Sequence, residues 1–125
     1  MALLILIALA GLMGASGVML AAAGAHGTPR LDLGGAPYML LFHAAAILGG
    51  AALAHLGLVS RPLMVVALIG WVAGASLFAG DIAARAFIGH RLFPMAAPTG
   101  GILLIAAWLA VVVAAVAILL HPASN

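Results

Sequence analysis

Two acids, four arginines and five histidines are all that the 125 residues offer for proton transfer, ion pairing or metal ligation, and cysteine is absent. Asp81 and Arg85 stand four residues apart in the acid-before-base order that suits an i, i+4 ion pair on a helix. The flanking sequence is apolar, so a carboxylate there also qualifies as a proton- or ion-handling group, because ionisable side chains in hydrocarbon are costly and need a reason. His43 follows Pro37 by six residues and falls on the helical face of Gly50 and Gly57. Its two readings are a hydrogen-bonded structural imidazole and a ligand or proton carrier. His26, in Gly24-Ala25-His26-Gly27, reads as a residue that satisfies the last carbonyls of a helix. His55, His90 and His121 read as interfacial. Without thiols, zinc-thiolate sites, iron-sulfur clusters and thiol catalysis are excluded. No nucleophile elbow, phosphate-binding glycine loop or pair of catalytic carboxylates is present. Haem ligation by His26 and His43 lacks a supporting pattern, so no metal and no cofactor is expected.

These groups sit in a chain that is 68% hydrophobic and 5% charged. Six charged side chains, Arg30, Asp32, Arg61, Asp81, Arg85 and Arg91, cannot cover a globule of this length, and the mean hydropathy of +1.41 points to lipid as solvent. The isoelectric point of 10.7 comes from four scattered arginines, which is no nucleic-acid footprint.

A bilayer core of about 30 Å needs roughly 20 helical residues, and four apolar runs meet that length. They cover about 1–25, 36–58, 62–85 and 97–120, separated by segments marked with glycine and proline. Backbone groups in hydrocarbon must be satisfied within each segment, so the expected fold is all-α, a single four-helix transmembrane bundle. The first run lacks a positive leader and exceeds the usual length of a signal core, so it reads as a retained span. Arg30, Arg85 and Arg91 fall on one side and Arg61 on the other. The positive-inside rule therefore puts the first and third loops in the cytoplasm and the termini outside.

Helices in lipid associate through small residues that let backbones approach. Ala10, Gly14, Gly17, Ala21 and Gly24 line one face of the first helix, and Ala46, Gly50, Ala54 and Gly57 one face of the second. Gly70 and Gly74 mark the third; Gly100, Gly101 and the Ala107-Ala110-Ala114-Ala117 stripe mark the fourth. Trp71, Trp108, Phe78 and Tyr38 read as lipid-facing or interfacial filler. With four antiparallel spans, the end of the first, the start of the second, the end of the third and the start of the fourth share one side. His26, His43, Asp81, Arg85 and Thr99 are thus expected to form one polar cluster there, in a bundle with no polar path through it.

Several short patterns occur in order: Gly24-Ala25-His26-Gly27, Phe42-His43-Ala44, Leu77-Phe78-Ala79-Gly80, and Ala97-Pro98-Thr99-Gly100-Gly101 followed by Trp108. With four apolar spans around them, the chain resembles the domain-of-unknown-function 423 family of small bacterial membrane proteins, related to eukaryotic transmembrane protein 256. The resemblance implies a four-helix inner-membrane protein and brings no reaction, ligand or catalytic residue. This chain has Leu40 where members carry a glutamine, and Asp81 where many carry a serine.

Two functions remain open on these residues. One is a non-enzymatic packing, assembly or accessory component whose partners are the lipid bilayer and either further copies of itself or another membrane protein. The other is a small proton-linked or cation transporter working through Asp81 and His43.

Overall fold

The computed structural model describes residues 1–27 and 31–120, so Arg30 and His121 lie outside the described residues. Four helices account for nearly all of them: α1 (Ala2–His26), α2 (Ala36–His55), α3 (Arg61–Ile88) and α4 (Ala96–Leu120). Each is long and apolar enough to cross a membrane. The expected all-α four-helix membrane bundle is therefore the observed fold.

Helix ends follow local chemistry. Pro37 and Pro62 occupy first-turn positions of α2 and α3, where a missing N–H leaves no bond unmade. α2 stops at His55, short of residue 58, because the chain turns through Gly57 at φ 71°. α3 runs a turn beyond Arg85 to Ile88 and is closed by Gly89 at φ 78°, a left-handed backbone that favours glycine.

The bundle is open on one flank. α1, α2 and α3 pack mutually, whereas the backbone of α4 approaches α3 alone. At the Arg61 end the α2–α3 connection is tied to α4 by the Ser60 N–H, which donates to the Ala114 carbonyl at 2.9 Å. Large apolar side chains such as Leu12, Leu53, Ile69, Leu109 and Val113 face outward, as a lipid solvent requires.

Small residues set the helix separations. A Cβ added to Gly74 would stand 2.9 Å from the Gly100 carbonyl oxygen, and one added to Gly100 would stand 2.7 Å from both the Gly74 carbonyl oxygen and the Phe78 nitrogen. The α3–α4 crossing is thus backbone against backbone. Gly70 is filled by Ala107, with Cβ to Cβ at 2.8 Å, and Gly50 receives Leu68 and Met64 of α3. Between α1 and α2, Gly17 lies against Leu41 and the Pro37 carbonyl, while Gly14 meets Ala44 at an ordinary 3.8 Å. Gly101 departs from the expectation: nothing lies within 4 Å of its notional Cβ, because its neighbour Gly100 takes the position facing α3.

Candidate functional site

Among the described residues, His43 and Asp81 are the buried polar or charged side chains. They occupy two separate sites.

Asp81 projects from α3 near its end and is 2% exposed. Its Oδ2 lies 3.0 Å from Nη2 of Arg85, one turn on, and its Oδ1 accepts the Leu92 backbone N–H at 3.0 Å. The Arg85 Nε–H reaches back to the Asp81 carbonyl at 3.4 Å. One carboxylate oxygen is therefore neutralised and the other fastens the α3–α4 loop across eleven residues of chain. A buried ionised group survives only when its charge and lone pairs are met in this way. Leu92 in turn lays its side chain against Gly80, where an added Cβ would meet its Cδ1 at 3.4 Å. Further along the loop, Met95 takes φ 68°, a left-handed backbone unusual outside glycine, immediately before α4.

His43 lies seven residues into α2 and is buried beside two indoles. Its ring centroid is 6.3 Å from that of Trp71 on α3 and 6.2 Å from that of Trp108 on α4, and the two tryptophans are 4.5 Å apart. Nδ1 lies 2.8 Å from the Met39 carbonyl oxygen and Nε2 lies 3.3 Å from the Trp108 indole nitrogen. A carbonyl only accepts and an indole N–H only donates. Nδ1 must then carry the hydrogen and Nε2 the lone pair, so the bonding assigns His43 as the neutral Nδ1–H tautomer. A proton on Nε2 would set two donors face to face. The second indole is left over: Trp71 Nε1 is buried with no partner among the described residues.

The expected single polar cluster is corrected by these positions. Trp71 beside His43 precedes Asp81 by ten residues of α3, roughly 15 Å of helix rise, so His43 belongs to the middle of the bundle and Asp81 to its end. Only Asp81 and Arg85 are brought together. Thr99 sits in the first turn of α4 on its exposed side, since the neighbouring Gly100 faces α3. His26 is exposed at the end of α1. Connectivity places the end of α1, the end of α3 and the start of α4 on one side, but helix rotation and depth keep these residues apart. The reading of the aromatic residues as lipid-facing or interfacial filler fails for Trp71, which is 2% exposed, and holds for Tyr38 and for the outer edge of Trp108, while Phe78 is half-buried.

One recess borders the Asp81 site, and a groove lies apart from both sites. An apolar groove of about 500 Å³ runs between α1 and α3, with Leu12, Met13 and Ser16 on one wall and Val72, Ser76 and Ala79 on the other. At the loop end, a recess of about 320 Å³ is lined by Phe78, Asp81, Arg85, Arg91 and the segment 95–98. No group of three His, Asp or Glu side chains among the described residues is placed to hold a metal ion.

No curated protein and no solved structure is found to match the chain. A family model does match, over residues 20–101, a stretch that contains His43, Trp71, Asp81 and the whole of α2 and α3 and stops short of Trp108. The match takes in more than half of the chain, and with four apolar helices enclosing it the protein belongs to the family described as Protein of unknown function (DUF423).

Proposed function

We propose that this chain is a non-enzymatic packing, assembly or accessory component of the membrane, and that its polar residues hold its own helices in place. One observation carries the reading: the two buried polar side chains among the described residues have their bonding capacity engaged within the chain. Asp81 is matched by Arg85 and the Leu92 N–H, and His43 by the Met39 carbonyl and the Trp108 N–H. A proton or ion relay needs groups that exchange partners along the depth of the membrane, and these two are separated by roughly 15 Å of helix.

Reconstitution tests the reading directly. Proteoliposomes carrying the protein and a pH-sensitive or cation-sensitive dye should behave as empty liposomes do. Flux that vanishes in Asp81→Asn, in a variant that still folds, would establish the transporter instead. In mild detergent the protein should co-purify with itself or with another membrane subunit, and a monomer under several gentle conditions would count against an assembly role.

The membrane we assign is the bacterial inner membrane, on the support of the family resemblance, with the first and third loops in the cytoplasm, on the support of the arginine distribution. Since the chain has no cysteine, single cysteines at Ser60 and His90 provide clean reporters: an impermeant thiol reagent applied to intact cells should label the first and spare the second.

A further inference from the structure

We propose that the recess between the α3–α4 loop and the start of α4 binds the phosphate of an anionic phospholipid through Arg85 and Arg91. The inference is independent of whether the bundle serves assembly or transport.

Charge comes first. The recess is lined by two guanidinium groups and one carboxylate. That carboxylate is already engaged, one oxygen by Arg85 and the other by the Leu92 N–H, so it does not also neutralise Arg91. Asp32 borders Arg85 on its other flank, but it accepts the Gly34 N–H and makes no ion pair with Arg85 among the described residues. Asp32 does not line this recess, whose own lining of two guanidinium groups and one carboxylate is net positive.

Donors come second. A guanidinium has five N–H groups, and Arg85 commits its Nε–H and one on Nη2, leaving its remaining donors free while its side chain stays 43% exposed. Arg91 is exposed and its side chain donates no bond to the protein among the described residues. Forked N–H donors on two sides of one recess match the oxygens of a phosphate better than a single carboxylate does.

Depth comes third. Phe87, Ile88, Leu92, Phe93 and Met95 are exposed around the same loop. In lipid they enter the acyl region, which sets the arginines at the level of the headgroup phosphates. A zwitterionic choline headgroup would bring a second cation to a positive recess; an anionic headgroup brings none.

The test uses the full-length protein in bilayers with spin-labelled phosphatidylglycerol or phosphatidylcholine. The wild type should immobilise phosphatidylglycerol several-fold more strongly. Arg91→Gln should reduce that preference by about fivefold, the effect of one interfacial cation, while Arg91→Lys should retain much of it. Arg61→Gln, at the opposite end of α3, should leave it unchanged. Equal immobilisation of both lipids, or equal loss in the Arg61 and Arg91 variants, overturns the site. Excess inorganic phosphate should not release the labelled lipid; release would assign the recess to soluble phosphate and overturn the lipid proposal.

Discussion

Trp108 of α4 donates its indole N–H to Nε2 of His43 on α2 at 3.3 Å, joining two helices whose backbones do not otherwise approach each other. The bond crosses the front of α3, over Trp71, and gives the open flank of the bundle its one side-chain hydrogen bond between α2 and α4 among the described residues. Removing the donor in Trp108→Phe leaves a buried acceptor unmet. Interhelical hydrogen bonds in membranes average about 0.6 kcal/mol and reach about 1.7 kcal/mol, so a loss within that range is expected. The measurement is a double-mutant cycle with His43→Leu in mixed micelles, read by unfolding; a coupling energy indistinguishable from zero would show that the contact is incidental.

Gly74 and Gly100 face each other with no side chain between them, and their difference from Gly101 gives an internal control. Gly100→Ala forces a methyl against the Gly74 oxygen and Phe78 nitrogen, atoms that move only if a helix moves. Overpacking of this kind costs typically about 1–3 kcal/mol. Gly17→Ala should be milder, because its nearest obstacle is the Leu41 side chain, although the Pro37 oxygen at 3.0 Å limits the relief. Gly101→Ala meets open space and replaces a poor helix former, so it should be neutral or stabilising. Thermal unfolding in detergent should rank the three accordingly, and a Gly101 variant as damaged as the Gly100 variant would refute the crossing described above.

Trp71 supplies the next expectation. Its indole N–H is buried without a partner among the described residues, and such a group retains its desolvation penalty of about 1–3 kcal/mol. His43 offers one lone pair at Nε2, and Trp108 occupies it. In Trp108→Phe that acceptor becomes vacant beside the Trp71 ring, whose centroid is 6.3 Å from that of His43. The Trp71 N–H should then take it, which offsets part of the lost stability. Tryptophan side-chain N–H resonances would report the change: Trp71 should shift toward the hydrogen-bonded range in the variant, and an unshifted resonance would show that the two donors do not compete.

What could be read from the residues alone divides along a physical line. Span number, polarity of the solvent and the glycine seams depend on composition and on a 3.6-residue period, both visible in the chain. The glycines at positions 14, 17, 50, 70, 74 and 100 are accordingly found at helix contacts. Gly101 was not separable from Gly100 because adjacent small residues differ only in helix rotation, by about 100°. The clustering of His26, His43, Asp81, Arg85 and Thr99 fails for the same reason, compounded by depth: topology fixes which helix ends share a side, not the level or the azimuth of a residue within its helix. The Asp81–Leu92 bond was illegible because its acceptor is a side chain and its donor a loop backbone, and neither has a sequence signature.

That bond makes Asp81 a fastener for the loop, and its removal separates two roles that one substitution would otherwise blur. Asp81→Asn keeps an oxygen able to accept the Leu92 N–H but loses the charge that holds Arg85. Asp81→Leu loses both. If the loop is held chiefly by the Leu92 bond, amide exchange at Leu92 should stay slow in the asparagine variant and rise in the leucine variant. Arg85, 43% exposed, is screened by its surroundings, so the loss of its pairing alone should add little to the instability. Leaving a buried N–H unmet should add more, about 1–3 kcal/mol. Hydrogen exchange followed across residues 89–95 decides the order: equal acceleration in both variants would mean that the ion pair, not the backbone bond, keeps the loop in place.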